Sequence, residues 1–215
     1  MADKKEKKVR RLISPIGTAK WAFLNKPKTT FKKQGEFMTN LLVPEAEAQA
    51  FIEVINEMTD EYFNEVYNEA KAKDRKELRK HYPFSAEETD EGVPTGNVEF
   101  KFHANATYEK NGETQSFTPT IVDKRGDELD PKTALVFSGS IIRVSCNASP
   151  YYNTSNRTVG VTLYLRGVQV IKFAKKDTAA SLGFGAVEGY DDDDDDDMPS
   201  STGADSGSVS DAEDF

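Results

Sequence analysis

Two short stretches of this chain mix ring-bearing and cationic side chains. Lys20, Trp21, Phe23, Lys26 and Lys28 fall within one run, and Tyr151, Tyr152 and Arg157 follow the segment that carries Arg143. Further on, Tyr164 and Arg166 share the polar side of a period-two pattern with Thr162. Flat rings stack on exposed bases and Lys or Arg neutralises a phosphate backbone, so the receptor of a single-stranded nucleic acid needs this combination. Each base stacked on a ring contributes about 1–3 kcal/mol. The expected phosphate contacts are Lys20, Lys26, Lys28, Arg143, Arg157 and Arg166, with the rings of Trp21, Phe23, Tyr151, Tyr152 and Tyr164 as platforms. Trp21 and Phe23 could instead close one end of a core, whereas Tyr151 and Tyr152 follow Pro150 in a polar loop, where burying both is harder.

Catalysis has little to work with. A Ser or Cys nucleophile needs a positioned base, yet Cys146 falls on the apolar side of its alternating segment, and the chain's two histidines, His81 and His103, lie in different elements. His103 reads as an ordinary exposed strand residue. No GxxxxGK phosphate loop occurs, and the GFG at 183–185 sits in a Gly/Ala-rich stretch. A single cysteine allows no intrachain disulfide and, with two histidines, leaves no Cys/His set for structural zinc, which fits a reducing compartment. The run Asp191, Asp192, Asp193, Asp194, Asp195, Asp196 and Asp197 offers charge without the spaced ligand geometry that calcium requires. The expectation is a protein that is not an enzyme and holds neither cofactor nor metal.

The elements that must position these side chains are read from periodicity. Residues 13–25 look extended, with Ala19, Trp21 and Phe23 on one side, and 36–43 form a second short strand. Pro44 opens a helix expected over about 44–80, because Phe51, Ile55, Met58, Tyr62 and Val66 recur at three- and four-residue steps, a stripe that docks on a sheet. Residues 83–96 read as a loop. From 98 to 108 the period becomes two with Phe100 and Phe102 inward; Asn111-Gly112 is a hairpin signal, and 114–122 is the returning partner. Strands over 140–148 and 158–173 complete the set, the latter with a bend or bulge at Gly167. The expected fold class is mainly β with one long helix, five or six largely antiparallel strands forming a small, partly open barrel.

Charge is segregated along the chain. Its 215 residues carry 28 Lys/Arg and 37 Asp/Glu, a formal −9, but residues 1–33 hold 11 basic side chains against Asp3 and Glu6. Residues 191–215 hold 11 acidic side chains and no basic one, which leaves 28 basic against 26 acidic elsewhere. Such asymmetry implies a body that binds a polyanion and an acidic appendage. The expected organisation is a flexible basic arm over 1–12, one barrel domain over 13–185 and a disordered acidic tail over 186–215. No apolar run approaches the roughly 18–20 residues of a membrane span, so no membrane partner is expected. A rival assignment makes the tail the active part of a chaperone-like or DNA-mimic protein that captures basic partners, and RNA in place of DNA is a third.

In order along the chain, Gly17-Thr18-Ala19, Trp21 and Phe23, Lys26-Pro27, the helix after two strands, the FKFHA at 100–104, Pro150-Tyr151 and an acidic tail ending in Phe215 resemble the single-stranded DNA-binding protein family of short-tailed coliphages. The resemblance implies a five-stranded OB-fold acting in phage DNA replication, recombination and repair, in the cytoplasm of an infected bacterium. It also implies a tail, here Asp191 to Asp197 with Asp214 and Phe215, that competes with DNA for the groove and contacts a polymerase, helicase or primase. A homodimer is compatible with it. Two features depart from the family: 150–153 reads PYYN where the family loop is longer and carries a tryptophan, and the tail is a compact aspartate block followed by Ser/Gly-rich sequence.

Overall fold

The computed structural model describes residues 8–30 and 32–175. The first strands are β1 (Arg10–Ile13), β2 (Gly17–Lys28) and β3 (Glu36–Pro44), followed by helices α1 (Glu45–Glu69) and α2 (Ala72–Arg75). Then come β4 (Arg79–His81), β5 (Phe84–Glu88), β6 (Pro94–Asn105), β7 (Thr107–Lys110), β8 (Glu113–Ser116), β9 (Thr120–Val122), β10 (Glu128–Leu129), β11 (Ile141–Asn153) and β12 (Thr158–Lys172).

Five strands close on themselves. β2 pairs antiparallel with β3 and β3 with β6; β6 runs parallel to β12, β12 pairs antiparallel with β11, and β11 returns to β2 through Ile141↔Thr18 and Ile142↔Gly17. This ring is the five-stranded OB barrel that was expected. Along each strand alternate residues point inward, so Phe37, Leu41 and Val43 of β3, Phe100 and Phe102 of β6, Val144 and Cys146 of β11 and Leu163 and Leu165 of β12 fill the interior. Burial there pushes the Cys146 thiol up to about 12. It carries no thiolate near neutral pH.

Helix α1 lays Ala48, Phe51, Ile55 and Met58 on the barrel core, with Phe51 edge-on to Phe100 at 5.2 Å. It stops at Glu69 rather than near residue 80, because Ala70 and Lys71 turn extended (ψ 147° and 150°). No basic residue lies in its last turn. Instead Arg75 folds back and donates to the carbonyls of Ala70 (3.0 Å) and Asn68 (3.1 Å), placing a cation where the helix dipole is negative.

Several other expectations change. Arg10 to Leu12, assigned to a flexible arm, form the edge strand β1 on β11; Arg10 reaches Glu57 (3.0 Å) and Glu61 (3.2 Å) of α1, and Leu12 packs on the core. Residues 83–96 are not a loop but contain β5 and the start of β6. Ser85, Glu87 and Glu88 have little strand propensity of their own; β5 forms because β6 offers an edge and Phe100 a ring 5.6 Å from that of Phe84. The Asn111-Gly112 hairpin is present, with φ of 54° and 82° at its turn residues, as a type I′ turn requires. Its arms are only β7 and β8, however. Pro119 supplies no donor, and beyond it the chain crosses to pair β9 with β12.

Candidate nucleic-acid interface

Strand register decides which outward side chains become neighbours. Phe23 on β2 lies opposite Met38 on β3, Met38 opposite His103 on β6, and His103 beside Tyr164 on β12. The row continues to Asn147 on β11 and Arg11 on β1. At about 4.8 Å between strands, its first four members span roughly 14 Å of the outer surface. Tyr164 is 45% exposed and stands edge-on to His103, ring centres 5.7 Å apart. At the other end Lys28 Nζ sits 5.3 Å from the centre of the Phe23 ring. His103 is therefore half-buried beneath a tyrosine rather than freely exposed; burial lowers its pKa, while Glu36 raises and Lys32 lowers it further. The imidazole is held neutral at pH 7.

The expected alternation of Ala19, Trp21 and Phe23 breaks at Trp21. Its φ is 54°, the register of β2 against β3 shifts between Lys20 and Phe23, and the indole is 59% exposed. Bulges of this kind re-aim a side chain. The Ala22 amide donates to Ser138 Oγ at 3.2 Å, which brings the segment with exposed Leu135 and Phe137 up to the bulge. Trp21 and Phe23 thus lie outside the core.

Arg143 and Arg166 converge on one groove of about 340 Å³, which Ile13, Thr120, Ser145 and Gln169 also line. Arg166 is the extra residue where the β11–β12 register shifts between Ser145 and Cys146. The next residue is Gly167, the expected bulge, where a Cβ would lie 2.6 Å from the Thr120 carbonyl. Only glycine allows β9 so close. Arg143 Nε is buried without a hydrogen-bond partner among the described residues.

Two expected phosphate contacts are paired with carboxylates. Lys20 Nζ reaches Glu87 (3.1 Å) and Glu99 (3.2 Å). Glu87 accepts from Asn97 and Thr95, which with Lys20 lowers its pKa, and Asn40 donates to Glu99. This network ties β2 and β3 to the β5–β6 hairpin. Arg157, at φ 54° in the β11–β12 turn, is gripped by Asp74 and Glu77, each at 2.7 Å. Tyr151 and Tyr152 are not in a loop but consecutive on β11, so they face opposite ways. The Tyr151 hydroxyl lies 3.0 Å from His81 Nδ1, and Tyr152 is half-buried. The structure brings Phe23, Lys28 and Tyr164 into one row and Arg143 and Arg166 into one groove, with Lys26 and Trp21 exposed near the former on β2.

Sequence reasoning missed Met38, His103 and Lys101. Lys101 is exposed on β6, two residues before His103 and hence on its face. Alternation marked Lys101 and His103 as outward, but only the register sets Met38 and His103 between the rings and Lys101 beside them. Asp191 to Asp197, Asp214 and Phe215 lie outside the described residues.

A closed five-stranded barrel with rings and cations across its outer strands defines an OB-fold protein of the nucleic-acid-binding class. The profile of the bacteriophage T7 single-stranded DNA-binding protein family matches residues 16–173, and the chain belongs to that family. Among solved structures it is similar to gp2.5, a single-stranded DNA-binding protein encoded by bacteriophage T7, with 22% identity and a TM-score of 0.64 over 78% of this chain and 94% of that one. It is also similar to the single-stranded DNA-binding protein of bacteriophage Enc34 in complex with single-stranded DNA, at 12% identity and a TM-score of 0.53 over 77% and 88% of the two chains. No curated protein matches it.

Proposed function

We propose that this chain binds single-stranded DNA with little sequence preference along the outer face of its barrel. The observation that carries this is the cross-strand row from Phe23 through Met38 and His103 to Tyr164, a line of π faces and polarisable groups flanked by Lys28 and Lys101. Every base has a face that stacks, so such a row favours unpaired strands over duplex without reading sequence. Bases stack on Tyr164, Phe23 and the exposed Trp21; phosphates meet Lys26, Lys28, Lys101, Arg143 and Arg166. Lys20 and Arg157 serve the scaffold. Tyr151 and Tyr152, at the far hairpin, are left for a strand that runs beyond the row.

The setting is phage DNA replication, recombination and repair in the cytoplasm of an infected bacterium, in keeping with the family. The acidic residues 191–215 compete with DNA for the same cations, and Phe215 gives a polymerase, helicase or primase an aromatic anchor. A chaperone-like or DNA-mimic role would leave the cations of the barrel face without a task. The test is quenching of Trp21 fluorescence by single- and double-stranded oligonucleotides at two salt concentrations. Preference for the single strand with steep salt dependence is expected; equal affinity for both forms overturns the proposal.

A further inference from the structure

We infer that the groove between Arg143 and Arg166 is a phosphate pocket in which both guanidinium groups close on one phosphate of the strand, with Ile13 against its nucleoside. This rests on the function proposed above and adds where the strand is fastened.

Arg10, Lys20, Lys80 and Arg157 each have a carboxylate partner, and Arg75 caps a helix. Arg143 and Arg166 have no ion-pair partner among the described residues, and no Asp or Glu lines their groove. The carboxylate nearest in sequence to the groove's β9 wall, Asp123, accepts from the amides of Arg125 (2.7 Å) and Asp127 (3.0 Å) through Oδ1 and does not line the groove. Two cations sharing about 340 Å³ repel each other unless an anion lies between them.

Geometry then selects the anion. Arg143 and Arg166 come from adjacent strands, and the bulge before Gly167 puts Arg166 out of the regular register and on the groove. A guanidinium presents a planar fork of donors that matches phosphate oxygens, and Arg143 Nε has no hydrogen-bond partner among the described residues. Gln169, opposite Arg143 on β12, donates from its Nε2 to the carbonyls of Asp123 (3.2 Å) and Lys124 (3.3 Å) and so holds the β9–β10 connection as a wall. Ile13, 59% exposed at the groove, gives a bare anion nothing. A sugar or base edge, however, gains an apolar surface there, which makes the ligand a nucleotide phosphate and not phosphate alone.

The test uses the full chain with three probes: inorganic phosphate, thymidine monophosphate and an oligothymidylate. In the first arm, the amide signals of Ser145 and Gly167 are followed by NMR. They should shift and saturate at lower thymidine monophosphate than phosphate concentration; equal potency removes the nucleoside from the proposal, and no shift with either overturns it. In the second arm, oligonucleotide affinity is measured against salt for Arg143→Gln, Arg166→Gln and the double variant. Each single change should weaken binding roughly tenfold. The double should be little worse than either, and its log–log salt slope should fall by about 0.7, the value for one phosphate on a single strand. Losses that multiply, with a slope change of about 1.4, mean two separate phosphates and overturn the shared pocket. Arg143→Lys checks folding: it keeps the charge and the slope but loses affinity with the fork. If the wild-type chain fails to bind the oligonucleotide, the proposed function falls, while the first arm still decides the pocket.

Discussion

Tyr164 shows how one side chain acquires a role from its neighbours. It shares its strand with buried Leu163 and Leu165 yet remains nearly half exposed, because its partner across the parallel seam is the His103 ring and not a core residue. Tyr164→Ala should therefore weaken single-strand binding by about 1–3 kcal/mol and barely change thermal stability. An early-melting variant with normal affinity would make the ring a packing element. His103 adds a pH signature. Its folded pKa lies below the ordinary 6.5, so the unfolded chain takes a proton that the fold resists. Stability is complete above pH 6.5 and is lost as pH falls through the depressed folded value. Melting curves of the wild type and His103→Gln across that window should diverge in this direction, with the variant losing less on acidification. Parallel curves would show that the imidazole is hydrated in the folded state.

At the level of elements, two expected DNA contacts, Lys20 and Arg157, are paired with carboxylates across elements. Lys20 sits between Glu87 and Glu99, whose side chains are only 13% and 15% exposed. Lys20→Met leaves two carboxylates facing each other and should lower stability by about 1–2 kcal/mol while the salt slope of DNA binding stays the same; a reduced slope would return Lys20 to the interface. The barrel strands, the inward set of Phe100, Phe102, Val144 and Cys146 and the outward aromatics were legible in the sequence, because period-two alternation is written residue by residue. What alternation cannot carry is which strand lies beside which. The row through Met38 and His103, the carboxylates that claim Lys20 and Arg157, and the pairing of β5 all depend on contacts between residues distant in the chain. The early end of α1 escaped for a related reason: its capping cation, Arg75, comes from the next helix. The shared side expected of Ala19, Trp21 and Phe23 fails because a bulge at Trp21 breaks the counting on which alternation relies.

For the molecule as a whole, the distribution of charge sets the response to salt. Removing residues 191–215 changes a formal −9 to +2, so the truncated chain should bind single-stranded DNA more tightly at low ionic strength, with the gap closing as screening grows. Equal affinities at every salt concentration would remove the tail from competition with DNA. A different consequence follows from β12, which pairs with β11 along one edge and with β4, β6 and β9 in turn along the other. During translation, the strands and helix made first have nothing to close them until residue 172 is added. At about 5–20 residues per second, the interval from residue 44 to residue 172 lasts roughly 6–26 s, and the contacts that end it are far apart in sequence, which slows folding further. Ribosome-bound chains stalled short of β12 should be open to protease along their length and should occupy chaperones. Protection should arrive in a single step once that strand is free of the ribosome, so the last strand to be made determines when the protein first exists as a folded body.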